Sequence, residues 1–191
     1  MNIAIIGKGN VGSAIEAGLS GKGHDVRTVG RDPQAVRSAA EQAELVILAV
    51  PFGEIDNLVG ELGDTVSGKT VVDATNALTP EYDLAIGFET SGAEELQKKL
   101  PGSKIVKAFN TAFASAMSSG RINGQQLAGL VAANDVDAKS KVLGLLEEIG
   151  FDPIDAGPLA SARLLEPLGV LNIKLGFVQG YGPNSGFQLV H

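Results

Sequence analysis

Gly7, Gly9 and Gly12 stand in the string Gly7-Lys8-Gly9-Asn10-Val11-Gly12, a G-x-G-x-x-G. The string directly follows the apolar run Ile3-Ala4-Ile5-Ile6 and opens an apolar-periodic stretch. That context turns a common hexapeptide into a fingerprint for a dinucleotide. Gly7 allows the tight turn, Gly9 lets the backbone approach a pyrophosphate, and Gly12 lets the helix pack on the strand. The N-terminus of the helix, with the amides of Asn10 and Val11, offers unpaired N–H groups and about half a positive charge to the phosphates. A second phosphate-loop pattern, Gly63-Asp64-Thr65-Val66-Ser67-Gly68-Lys69-Thr70, is a decoy. A helix precedes it and a strand follows, so no helix dipole faces a triphosphate.

The residue that selects between dinucleotides sits at the end of the second strand. Here that position is Gly30, which has no carboxylate, and Arg31 follows. A guanidinium binds the 2′-phosphate of NADP through charge-assisted bonds, and Lys8 reaches the same phosphate. Asp32 is the rival ribose ligand, but Asp32-Pro33 reads as a helix cap with proline at the first helical position. The sequence therefore predicts NADP.

Acid–base groups are scarce. There are no cysteines and two histidines. His24 reads as a turn residue and His191 as a frayed terminus, so no triad, no thiolate chemistry and no metal site is expected. Reduction of a simple carbonyl needs a positioned proton donor. A flavin-like acceptor spreads the incoming charge over its ring and takes its proton from solvent, leaving orientation to the protein. The inventory thus favours such an acceptor. Lys107, Tyr82, Asp155 and Glu166 are the remaining donors. Asp155 and Glu166 read as a turn residue and a helix-face charge, while Lys107 falls out of phase with the apolar residues of its strand. Asn76 and Asn110 each follow a strand at its C-terminal end, where open α/β sheets bind ligands.

The 191 residues are 44% hydrophobic and 19% charged, the balance of a folded globular protein. Fifteen Lys and Arg against 22 Asp and Glu give a net charge of −7. No basic face is in view, so nucleic acid is excluded as a partner. No apolar run approaches the length of a membrane span, and no signal-peptide core precedes Gly7. The expectation is a cytoplasmic protein.

Short apolar runs alternate with helical patterns. Strands are predicted over Ile3–Ile6, Val26–Val29, Leu45–Val50, Thr70–Thr75 and Ile105–Phe109, then Leu127–Ala133 and Phe151–Ile154. Helices are predicted over Val11–Leu19, Pro33–Ala43, Ile55–Leu62, Ser91–Leu100, Val136–Glu148 and Leu159–Phe177, with a turn-rich tail over Gly180–Gly186. Such alternation means crossover units and an α/β fold. We expect a Rossmann-type, doubly wound, mainly parallel sheet. It is shortened around the third strand, because the second helix runs straight into Leu45. One domain spans 1–191, with a core over 1–111 and a small C-terminal α/β extension over 112–191 on the acceptor side. The last helix carries Leu164, Leu165, Leu168, Val170, Leu171 and Ile173, more apolar surface than a small domain must bury, which predicts a homodimer.

The chain resembles the NADP-dependent reductases of the 5-deazaflavin coenzyme, the NADPH:8-hydroxy-5-deazaflavin oxidoreductase type. Beyond the glycine string and Gly30-Arg31, the resemblance rests on Leu48-Ala49-Val50-Pro51, Asp73-Ala74-Thr75-Asn76 and Ser91-Gly92-Ala93-Glu94. It continues in Lys107-Ala108-Phe109-Asn110-Thr111, Gly150-Phe151-Asp152-Pro153, Asp155-Ala156-Gly157-Pro158-Leu159 and Arg163-Leu164-Leu165-Glu166. A related domain is the NADPH module of transmembrane ferric reductases. The resemblance implies that Val50 and Pro51 line the nicotinamide half of the cofactor, with Asn76 and Ala77 beside the ring. It implies that Asn110, Thr111 and the turn ending at Leu159 wall the site of the hydride acceptor. The function implied is hydride transfer between NADP(H) and a small-molecule partner, a deazaflavin or flavin. The alternatives are a reductase of a small carbonyl or imine, and a non-catalytic NADP(H)-binding redox sensor.

Overall fold

The computed structural model describes residues 1–79 and 81–190; His191, read above as a frayed terminus, lies outside them. The chain runs β1 (Asn2–Ile6), α1 (Asn10–Leu19), β2 (Asp25–Val29), α2 (Pro33–Gln42), β3 (Leu45–Leu48), α3 (Ile55–Leu62), β4 (Thr70–Asp73), α4 (Gly92–Lys99) and β5 (Lys104–Lys107). It continues through α5 (Ala114–Met117), β6 (Arg121–Ile122), β7 (Gln125–Gln126), β8 (Ala128–Ala133), α6 (Val136–Ile149), β9 (Asp152–Asp155) and α7 (Ala162–Ile173). A wider π turn, Lys174–Val178, extends α7.

One seven-stranded sheet has the order β2-β1-β3-β4-β5-β8-β9. The first five strands are parallel, β8 runs antiparallel to β5, and β9 is parallel to β8. This is the doubly wound α/β arrangement expected, without a third strand beyond β2. Alternation explains the two cores. Ile3, Ile5, Leu45 and Ile47 point into one hydrophobic cluster, and Ala4, Ile6, Val46 and Leu48 into the other. A strand buried on both faces must therefore read as continuously apolar.

Local signals place the helix starts. Asp32 caps α2 by accepting from the Gln34 N–H (3.0 Å), and Asp135 caps α6 by accepting from the Ala138 N–H (2.8 Å). Ser91 caps α4 through the Glu94 N–H (3.2 Å) and donates its hydroxyl to the Glu94 carboxylate (2.8 Å). The decoy phosphate loop forms a 3-10 turn over Gly63–Val66 and then enters β4, with no helix after it.

Three details differ from the sequence expectation. The strands predicted to reach Val50, Thr75 and Phe109 stop two residues earlier; Ala49, Val50, Ala74 and Thr75 become the floor of a groove, while Ala108 and Phe109 stay buried. A hairpin, β6–β7, turns through Asn123-Gly124, both at positive φ (+51° and +80°). This Asn-Gly pair is a strong hairpin signal. Lastly, Glu166 is not a solvated helix-face charge. It is 3% exposed and bonds the start of α4.

Candidate active site

The C-terminal ends of β1, β3, β4 and β5 share one edge, and the crevice between the connections that leave β1 and β3 is where such sheets bind ligands. The glycine string makes the turn there. Gly7 sits at φ +126°, and its N–H donates to the Val29 carbonyl (2.9 Å). A Cβ at Gly7 would lie 2.1 Å from the Ala49 carbonyl oxygen, and one at Gly12 would lie 1.9 Å from the Gly7 carbonyl oxygen. Both glycines are required by packing. Gly9 differs: a Cβ there meets nothing within 4 Å, so its bareness serves the space outside the protein. No side chain caps α1. Uncapped first-turn amides beside an open glycine fit a diphosphate.

Three cavities run end to end along this edge. The first, about 660 Å³, is lined by Gly7, Lys8, Gly9, Gly30, Arg31, Val50 and Pro51, with Glu54, Asn57 and Glu61 opposite. Gly30 has room for the stem of Lys8, whose Cδ lies 3.8 Å from where a Cβ would stand. Two cations thus stand at one end of the groove. The second cavity, about 640 Å³, shares Gly9, Val50 and Pro51 with the first and adds Asn10, Val11, Thr75 and Asn76. The third, about 450 Å³, shares Asn10, Val11 and Asn76 with the second and adds Tyr82, Asn110, Phe113, Gly169 and Phe177.

Asn76 and Asn110 are locked together. The Asn76 Nδ2 donates to the Asn110 carbonyl (3.0 Å), and the Asn110 Nδ2 donates to Asn76 Oδ1 (2.9 Å) and to the Leu165 carbonyl (2.8 Å). The preceding residue, Phe109, is held at φ +66°, a conformation rare for a bulky side chain. Helix α7 meets the amide pair at Gly169, where a Cβ would lie 2.5 Å from Asn76 Oδ1 and 2.7 Å from the Asn110 carbonyl oxygen. The floor of the groove therefore depends on a glycine nearly sixty residues further along the chain.

Beneath that floor Lys107 is completely buried. Its Nζ donates to Asp73 Oδ2 (2.9 Å), to the Thr75 carbonyl and to Glu166 Oε1 (3.1 Å). Burial by itself would lower the lysine pKa, but the Asp73 and Glu166 carboxylates outweigh it and hold the ammonium above the ordinary lysine value. The third cavity is walled by aromatic rings. Phe113 and Phe177 meet edge to face, 5.3 Å apart at 77°, an arrangement that matches a positive ring edge to a negative face.

Some predicted residues do not reach the groove. Ala77 is fully buried beneath it, and Thr111, 6% exposed, accepts from the Asn172 Nδ2 through its carbonyl. Leu159 lies elsewhere. Because β9 runs opposite to β1–β5, the turn after Asp155 is at the other edge of the sheet, where the Leu159 N–H donates to Asn134 Oδ1. Sequence reading missed Phe113, Gly169 and Phe177, because no local pattern shows that the residue before α5 and the last helix with its extension meet at the groove.

The sequence profile described as NADP oxidoreductase, coenzyme F420-dependent, matches residues 2–44 and 34–77. The F420-dependent NADP reductase of Methanothermobacter marburgensis is 30% identical over 166 residues, covering 80% of this chain and 71% of that protein. The chain belongs to the coenzyme F420-dependent NADP oxidoreductase family. A crystal structure from Arthrobacter sp. FB24, provisionally described as an F420-dependent NADP reductase, superposes with a TM-score of 0.90 at 29% identity and full coverage of both chains. Metalloreductase STEAP3 of Rattus norvegicus is 30% identical over 179 residues, and the alignment covers 87% of this chain but only 36% of that longer protein. Within the family profile fall the glycine turn, Arg31, Val50, Pro51 and Asn76; Phe113, Gly169 and Phe177 of the third cavity lie beyond it. No helix among the described residues is long and apolar enough to cross a membrane.

Proposed function

We propose that this chain is an NADP(H)-dependent oxidoreductase that moves a hydride between nicotinamide and a small redox partner of the deazaflavin or flavin type. The observation that carries the reading is the continuity of the groove, from Lys8 and Arg31 at one end to the ring-walled cavity at the other. When bound, NADPH supplies the hydride, two electrons with one hydrogen nucleus. The α1 amides and Gly9 hold the diphosphate, and Lys8 and Arg31 hold the 2′-phosphate. Val50 and Pro51 face the nicotinamide half. Asn76 and Asn110 fix the height at which a flat ring can lie, and Phe113 and Phe177 stack beside it. Tyr82 is the only titratable residue lining the third cavity among the described residues. An acceptor that takes its second proton from solvent suits such a cavity. The reductases and metalloreductase to which the chain is similar support the same class of reaction.

Tyr82, 51% exposed and lining the third cavity, favours one second reading, a small carbonyl or imine reductase with that tyrosine as donor. Stopped-flow oxidation of bound NADPH separates the two. We expect turnover with a deazaflavin or flavin and none with a panel of carbonyls and imines. NADPH should be preferred over NADH, and Arg31→Ala should reduce that preference by weakening NADPH by about 1–3 kcal/mol while leaving NADH nearly unchanged. Equal loss for both cofactors refutes the 2′-phosphate role. Tight NADPH binding with no turnover on any acceptor refutes the enzyme.

We also propose a cytoplasmic homodimer. The lack of cysteine suits a reducing compartment. Leu164, Leu171 and Val178, 70%, 49% and 66% exposed, recur every seventh residue along α7 and its extension. An apolar stripe of this kind matches a helix-to-helix contact with a second copy. Sedimentation at micromolar concentration should report about twice the 19.6 kDa of one chain; a monomer contradicts the proposal.

A further inference from the structure

The charges beneath the groove do not cancel. Asp73 Oδ1 accepts from the Thr75 N–H (2.9 Å) and Oδ2 from Lys107. Glu166 Oε2 accepts from the Gly92 N–H (2.9 Å), and Oε1 from the Ala93 N–H (3.2 Å) and Lys107. Every carboxylate oxygen faces donors. A protonated carboxyl would turn an O–H toward another donor, so both groups are ionised. Two carboxylates and one ammonium leave one negative charge, and the positive end of α4 offsets about half of it. Asp73 is the chain neighbour of Ala74, and Ala74, Thr75 and Asn76 line the second cavity. The cluster therefore lies within about 10 Å of the groove floor.

We propose that the Asp73–Lys107–Glu166 cluster tunes the bound nicotinamide electrostatically, favouring its cationic oxidised form over the neutral reduced form. The proposal rests on the NADP(H) reading above. Reduction adds a hydride to a ring bearing one positive charge and leaves it neutral, so a nearby fixed charge acts on the difference between the two states. In water the same charge would be screened; under a low-dielectric floor a unit charge at about 10 Å shifts a binding ratio by about tenfold. The half-charge at α4 reduces this to about three- to tenfold. The consequence is directional. NADPH bound here gives up its hydride more readily than NADPH in solution, which suits an acceptor of low potential. The three residues act through the field and through the 73–76 turn, as positioning residues.

Calorimetry on the full chain tests this through the dissociation constants of NADP⁺ and NADPH, compared between wild type, Glu166→Gln and Asp73→Asn. Each variant removes one negative charge. We expect the ratio of the NADP⁺ constant to the NADPH constant to rise about three- to tenfold in both, moving the potential of the bound couple upward. Parallel weakening of both cofactors, with the ratio unchanged, overturns the proposal and leaves a purely structural cluster. If one variant does not fold, the other carries the same comparison. Failure of wild type to bind either cofactor would instead sink the NADP(H) reading itself.

Discussion

Lys107→Met is expected to destabilise the folded chain by about 3–5 kcal/mol, measured by denaturant unfolding. Methionine fills nearly the same volume but leaves Asp73 and Glu166 buried without their shared cation, and an uncompensated buried charge costs that much. The side chain is 0% exposed in the native fold, so water cannot substitute for the ammonium without opening the floor. Because the folded pKa lies above the unfolded value, the lysine's contribution is fully present below the ordinary lysine pKa. It is lost only as pH rises through the raised value. The wild type should therefore show no loss of this term between neutral pH and about 9. A change below 1 kcal/mol for the variant would mean that the cluster is not the buried ion network described.

Gly12→Ala is expected to weaken NADP(H) binding by at least about 100-fold, or close to 3 kcal/mol, and to cost about 1–3 kcal/mol of stability as an overpacked site. The new methyl would stand 1.9 Å from the carbonyl oxygen of Gly7 and 3.3 Å from the Ile5 Cγ2. The first of these is backbone and cannot rotate away, so the turn must lift off α1 and carry the diphosphate site with it. Gly9→Ala is the matched control. Its methyl enters open space, so unfolding should be unchanged while the cofactor is still weakened. Equal stability loss at both positions, or unaltered binding in Gly9→Ala, would contradict the assignment of the two glycines to packing and to ligand approach.

Particular residues show why some of the site was legible. The glycine string, Arg31 and the Asp32 cap lie within one strand-turn-helix unit, where spacing along the chain is also spacing in space. Val50, Pro51 and Asn76 follow buried strands, and parallel pairing of those strands brings their ends to one edge. Leu159 misled for the converse reason. The position after a strand points to the ligand edge only if that strand runs with its neighbours, and β8 reverses against β5 through just two residue pairs, Val106 with Ala133 and Lys107 with Ala132. No local pattern announces that reversal. Lys107 carried a visible signal, one charge in an apolar strand, but its partners are 34 and 59 positions away.

Sequence alone determined the strand-helix alternation, the two buried cores and the glycine turn between β1 and α1, because these follow from side-chain period and from the few conformations that Gly, Asp and Pro favour locally. Tertiary structure decided which strand ends became the groove, that α7 returns through Gly169 to close it, and that three distant charges meet under its floor. Those outcomes depend on close packing and charge pairing between segments far apart in the chain, and such contacts exist only after the sheet has fixed their relative positions.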